Sequence, residues 1–561
     1  MRSSVLVACF VVAGQSIAHV GPFLQQINST HWILGNDLWN VTQGPVYATN
    51  LQYQESDAVG SAVGHYAGID GEGNLRYTSA KVVSNTSNYI DISFTATYGD
   101  LHWVIFPELA GAYQYFVNRA LPDLSIFRTL WRLDPDRFTH GYTTTKNDEL
   151  PDWSLYTNAT EIQDETFQTT DGRIITKYDF ANYVRERDFI GVYGKDTGSW
   201  YIHPSYDYWS ASQLSQTLTV HRESATGDAV QLNVVQDTSH FRVGVKTKQP
   251  SGKIWGPWLW YLNDGSIEDV KKQAAKERQN WPYSWLEDPA FQSRGSLKGK
   301  IVLSDERPAA GAAVFLGDAD TSIRPLVQGS NYYYTTYADE SGHFSFDHVR
   351  SGEYGLYAWS NGGAIADTYT NFTTSGVQIR KGKDNDLGTL IWSVPKGRER
   401  IFQIGDFDKK ALGFTNGGAP YQHGLTEKSP ANLTYIVGKS TASDWYYASS
   451  KIGSWDVVFN ATKPKINPTA LLSVSLAGYS QSAALTIYLN KNKTIGVLNK
   501  NILTSDPALY RSGTISGEWR FAQYEISGSE IQEGQNVLSF TVDRYTQWRG
   551  FQWDSIILEW V

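Results

Sequence analysis

The chain has 561 residues, a formal charge of −9, an aromatic content of 14% and a single cysteine. That length supports about three or four domains whose cores can stand without disulfides. The negative balance argues against nucleic acid or an anionic membrane as partner, and the lone Cys9 excludes thiol nucleophiles, cysteine metal sites and a disulfide framework.

Met1-Arg2, the apolar run Val5 to Val12 and the small residues Ser16-Ile17-Ala18 have the form of a secretory signal, 1–18, with the mature chain starting near His19. The run is too short for a membrane span. Eight N-x-S/T sequons, Asn28, Asn40, Asn85, Asn158, Asn371, Asn432, Asn460 and Asn492, fit an exported glycoprotein. The next pattern is alternation. Ile90-Asp91-Ile92-Ser93-Phe94, the turn Gly99-Asp100 and Trp103-Val104-Ile105-Phe106 read as a hairpin. One helix interrupts the strands: Ser266 stands three residues before Asp269 as a cap, good helix formers follow, and Pro282 ends it.

From about 293 the chain reads as a separate module of strands, including Ser296 to Leu303, His343 to Phe346 and Gly352 to Trp359, with the length of a small sandwich. The charged stretch Lys381 to Asp386 and then Pro395-Lys396-Gly397-Arg398 mark its end. The last segment is again all-β and long enough for a jelly-roll, with strands at Leu485 to Leu489 and Ser555 to Trp560. The divisions are therefore 1–18, 19–292, 293–395 and 396–561, in an all-β multidomain chain. Aromatic residues suit both strand packing and sugar-binding grooves, and composition does not separate the two.

Several spaced motifs resemble the rhamnogalacturonan lyases of polysaccharide lyase family 4. They are Trp281-Pro282-Tyr283-Ser284-Trp285, Ala338 to Phe344, Gly352-Glu353-Tyr354 through Ala358-Trp359, and Ile404-Gly405-Asp406-Phe407-Asp408. The resemblance runs from about residue 120 to the end. It implies a galactose-mutarotase-like catalytic β-sandwich, a fibronectin-III-like sandwich and a carbohydrate-binding-like jelly-roll. It also implies a secreted, monomeric enzyme that acts on the rhamnose–galacturonate backbone of pectin by β-elimination. A base removes the C5 proton of galacturonate, the 4-linked rhamnose leaves, and an unsaturated end remains. The proton lies beside a carboxylate, so the site must neutralise a second developing charge, which a fixed guanidinium does well.

The resemblance places the catalytic pair at Lys177, in a strand Thr170 to Tyr178, and His240, in Gln236-Asp237-Thr238-Ser239-His240. Either of the two can be the base and the other the acid. Arg128 resembles the substrate-binding arginine, Arg132 stands four residues on and shares its face in a strand, and Arg511 resembles an arginine lent by the last domain. Taken alone, a strand lysine is most often a solvated surface residue, and Arg128 and Arg132 can simply lie over apolar neighbours. The chemistry requires no cofactor, and a Ca²⁺ held by loop carboxylates is compatible with it but not demanded. His140, His203, His221 and His343 show no metal-site spacing. Two stretches depart from the family pattern. Asn233-Val234-Val235 stand where tyrosines precede the histidine, and Ser210-Ala211-Ser212 replaces a Gly-Gly-Pro turn. The departures keep open a non-catalytic carbohydrate-binding protein. Paired carboxylates also leave room for a glycoside hydrolase on a related polysaccharide.

Overall fold

The computed structural model describes residues 21–561 except 62, 70–72, 123–125, 211, 238–247, 323–328, 419–423, 465–467, 481, 505–510, 512–518 and 546–548. The signal segment, His240 and Ala211 therefore lie outside the described residues. The chain is mostly β, and its strands gather around three hydrophobic cores.

The first core lies between a nine-stranded and a five-stranded sheet. The expected hairpin is in the larger sheet as Ile90–Ala96 and Gly99–Ile105, with Trp103 opposite Ile92, but Gly99 and Asp100 open its second strand and the chain turns at Thr97-Tyr98 instead. Alternation turns Trp103, Trp131 and Trp260 inward, where Trp131 stacks on Trp260 at 4.5 Å. Five antiparallel strands from Phe23–Asn28 to Ser56–Asp57 form a further sheet, and Trp39 from it packs edge-on against Trp260 at 5.1 Å. Full burial of a large side chain contributes roughly 1.5–3 kcal/mol, and these indoles are among the largest available.

The expected helix is Ile267–Asn280, and the Ser266 hydroxyl accepts the Asp269 amide at 3.2 Å. It lies on the outer face of the nine-stranded sheet. Glu277, fully buried, accepts from the Tyr113 hydroxyl at 3.1 Å and from the Tyr283 hydroxyl. The Trp281 to Trp285 motif is thus a packing device: Tyr283 stacks on Trp285 at 5.1 Å, and Trp285 meets Tyr113 at 5.2 Å.

The second core lies between a three-stranded and a four-stranded sheet. Arg294–Leu303 pairs with His343–Arg350 and, in parallel, with Asp384–Trp392. The third lies between two five-stranded sheets, with Phe551–Trp560 central to one and Gly534–Arg544 to the other. Leu485 to Leu489 belongs to the strand Ala484–Leu489. An apolar cluster of Tyr183, Leu214, Phe315, Tyr357 and Trp359, with Trp519 against it, ties all three bodies together.

Seven of the eight sequon asparagines are exposed, and Asn40 is half-buried. Asn371 already accepts the Lys409 ammonium at 2.8 Å. Among the described residues, no helix is long and apolar enough to cross a membrane.

Candidate active site

A small three-stranded sheet carries Lys177. Thr160–Gln163 turns back through Asp164 and Glu165 into Thr166–Gln168, which pairs with Ile174–Thr176. Glu165 takes the left-handed conformation the tight turn needs, with φ of 51°. Thr166 faces Thr176, their hydroxyls 2.8 Å apart, and the Lys177 amide donates to the Glu165 carbonyl at 3.3 Å. That register sets Lys177 beside the turn. Lys177 is therefore not within a strand, as the sequence led us to expect, but in the turn directly after one.

The Lys177 ammonium donates to Asp164 Oδ1 at 3.0 Å. The other oxygen of Asp164 accepts from the Tyr178 hydroxyl and, at 2.5 Å, from Arg511 Nη2, a residue 347 positions away. The Arg511 guanidinium also lies 4.7 Å from the centre of the Tyr178 ring, within cation–π range. Two cations from segments far apart in the chain thus share one carboxylate. Burial pushes Asp164 toward its neutral form. The Tyr178 hydrogen bond and the charges of Lys177 and Arg511 outweigh that and hold it below the usual carboxylate range.

Arg128 lies in the strand Ile126–Leu133, opposite Gly68 and Val234. Gly68 leaves room for it: a Cβ there would come within 3.8 Å of Arg128 Nε and 2.8 Å of Asn74 Oδ1. Arg128 is half-buried, and among the described residues no carboxylate pairs with it. Arg132 is placed differently. It meets Glu223 at 2.9 Å and Asp228 at 3.9 Å, and Asp228 is further fixed by the Ser61 amide at 2.7 Å. Arg128 and Arg132 share a face of the strand, as expected, but Arg132 is held by an ion pair within the fold.

The departures before residue 240 separate in the same way. Asn233 faces the core and bonds His203 at 3.0 Å, whereas Val234 is the register partner of Arg128. Asp164 and Tyr178 escaped sequence reasoning. Tyr178 adjoins Lys177, but nothing local marks Asp164, because its role depends on Arg511. Among the described residues, no three His, Cys, Asp or Glu side chains stand together as a metal site.

Residues 294–387 match polysaccharide lyase family 4, domain II, and residues 400–558 match polysaccharide lyase family 4, domain III. A rhamnogalacturonate lyase of Dickeya dadantii is 30% identical over 456 residues, covering 78% of this chain and 75% of the relative. The chain belongs to polysaccharide lyase family 4. It is accordingly an enzyme of the lyase class. Two further relatives are named probable rhamnogalacturonate lyase B. The one from Aspergillus niger is 26% identical, over 55% of this chain and 46% of its own length. The one from Aspergillus flavus is 22% identical, over 77% of this chain and 75% of its own.

Lys177, Arg128 and Arg511 are basic side chains from three segments of this chain.

Proposed function

We propose that this chain cleaves the rhamnose-(1→4)-galacturonate bond of rhamnogalacturonan I by β-elimination, acting within the chain of the polymer as a secreted monomer. The observation that carries the reading is the meeting of Lys177 and Arg511 on one carboxylate, in a family whose curated relatives are named rhamnogalacturonate lyases. Export rests on the signal segment and the exposed sequons.

In this reading Arg128, which has no carboxylate partner among the described residues, takes the carboxylate of galacturonate. Drawing the carboxylate's charge onto a guanidinium makes the neighbouring C5–H more acidic. Lys177, once it has given up its proton and its ion pair with Asp164, removes the C5 proton as the amine. The electron pair forms the C4–C5 double bond, the C4–O bond breaks, and His240 protonates the departing rhamnose oxygen. The sequence permits the reverse assignment of Lys177 and His240 as well. Asp164 and Arg511 position Lys177 and hold the last body against the first. The net charge of the chain opposes an acidic polymer, so capture depends on this local cationic patch.

Incubation with rhamnogalacturonan I tests the reading. The expected product absorbs in the ultraviolet as an unsaturated uronate. New reducing ends without that absorbance would mean hydrolysis instead, and retained binding with neither signal would mean a carbohydrate-binding protein.

A further inference from the structure

Arg128 is part of a row that crosses the five-stranded sheet of the first core. Register sets Asn74, Gly68, Arg128 and Val234 side by side on four neighbouring strands, and side chains in such a row share one face. Gly68 has no side chain, so its two neighbours lean together over it. The point where a Cβ would stand lies 2.8 Å from Asn74 Oδ1, 3.8 Å from Arg128 Nε and 4.0 Å from Arg128 Nη2. Arg128 therefore turns its Nε–Nη2 edge toward Asn74. That edge carries two parallel N–H groups, which match the two oxygens of a carboxylate.

Asn74 is held in place from its other side. Its Nδ2 donates to the Tyr47 hydroxyl at 3.1 Å, which leaves Oδ1 an acceptor with no partner among the described residues. Tyr47 stands just before the strand Ala48–Tyr53, and its ring meets the Tyr66 ring edge-on at 5.4 Å. The Tyr66 hydroxyl in turn bonds Arg132. Arg132, fixed by Glu223, thus anchors the far end of a line of contacts that ends at Asn74.

Both groups are open to a ligand. Asn74 and Arg128 are each half-buried, and their unpaired atoms reach water. Glu223 and Asp228 lie on Arg132, four residues along the strand, and among the described residues no carboxylate reaches Arg128. The pair offers a cationic edge for an anion and, beside it, one bare carbonyl oxygen. That oxygen repels a carboxylate and accepts only from an N–H or an O–H. Together the two groups fit a ligand that carries a hydroxyl close to a carboxylate.

We propose that Asn74 is a specificity-determining residue of the cleavage site, whose Oδ1 accepts a ring hydroxyl of the galacturonate that Arg128 holds by its carboxylate. This role rests on Arg128 taking the uronate carboxylate, as in the lyase reading. A galacturonate linked through C1 and C4 keeps two free hydroxyls, and O3 is the nearer to the carboxylate, so O3–H is the donor. A single contact at the carboxylate leaves the ring free to swing, whereas a second at O3 fixes the direction in which C5–H points. Tyr47 and Arg132 are positioning residues that act through Asn74.

Calorimetric titration of the full chain with rhamnogalacturonan oligosaccharides tests it. Lys177→Ala serves as the parent, so that turnover does not consume the ligand. Adding Asn74→Ala is expected to weaken binding about 3–10-fold, the range of one hydrogen bond. Asn74→Asp keeps the size and the oxygen but sets a charge beside the uronate. It should bind more weakly than Asn74→Ala at neutral pH and regain affinity relative to the parent as pH is lowered to about 4, where the new carboxyl takes up a proton. A merely structural role for Asn74 would not give that recovery, and Asn74→Asp carries the test by itself should Asn74→Ala fail to fold. Arg128→Gln should lose binding. Full binding in Asn74→Ala, or no recovery of Asn74→Asp in acid, together with loss in Arg128→Gln, would overturn the role of Asn74 alone. Full binding in Arg128→Gln would overturn it along with the lyase reading of Arg128.

Discussion

Two carboxylates in this chain each hold a pair of cations, and their surroundings differ. Asp164 takes Lys177 and Arg511 with its side chain 41% exposed, while Asp207 takes Arg294 and Arg350 at 0%. Both join separate bodies of the molecule: Asp164 links the first to the last, and Asp207 the first to the middle. The stoichiometry is the same, but the dielectric is not. At Asp207 the partners have no water to fall back on, so the cluster acts as a fixed joint. At Asp164 the carboxylate itself reaches water, so its interactions are screened more than those of Asp207, although Lys177 and Arg511 are largely covered. A shared pattern of charges therefore describes a structural pin in one place and the proposed reactive site in the other, and burial separates them.

The largest effect should come from the buried joint. Asp207→Asn leaves two guanidinium groups without their counter-charge and is expected to cost about 3–5 kcal/mol. A urea titration would show it as a lower midpoint with little change in slope; an unchanged midpoint would contradict the joint.

Acid should find the buried side next. His203, and His65 between Trp103 and Trp131, are both pushed down to about 3 by burial, from an ordinary value of 6.5. The unfolded chain then takes up protons that the folded chain refuses. Stability from each histidine is present above about 6.5 and is lost as pH falls toward about 3, on the order of a few kcal/mol in all. Asp207, held below its usual range by Arg350 and Arg294 against the opposing effect of burial, changes in the same direction at lower pH. Melting temperature followed from pH 7 to pH 3, as set points of the scan spaced about one unit apart, should fall steadily, and a His65→Gln variant should fall less steeply. Equal slopes would remove His65 from the account.

The smallest effect on stability belongs to the exposed cluster. Asp164→Asn is expected to change folding stability by less than about 1 kcal/mol. It should nevertheless lower kcat/KM on rhamnogalacturonan roughly tenfold or more, since Lys177 and Arg511 lose the group that positions them. A large loss of stability with full activity would reverse the comparison between the two clusters.

Much of the fold was legible because local rules carried it. Period-two alternation marked the hairpin Ile90–Ala96 with Gly99–Ile105, and Ser266 with Pro282 marked the helix between them in the chain. The site was less legible, for a physical reason. Lys177 was singled out by the resemblance of its neighbours to a family motif, whereas its partner Asp164 is set by a hairpin register and by an arginine 347 positions away. Arg132 looked equivalent to Arg128, and only the fold reveals that Glu223 and Asp228 claim it. The cluster around Asp207 drew no notice at all, because its meaning lies in burial, which short motifs do not carry.

The central claim is that Lys177 takes part in proton transfer, and one measurement addresses it directly. Lys177→Ala, shown by its unfolding curve to be folded, is assayed on rhamnogalacturonan for the ultraviolet absorbance of the unsaturated product. The account predicts a fall in rate of roughly 10²–10⁴-fold. Turnover near that of the unaltered protein would contradict it.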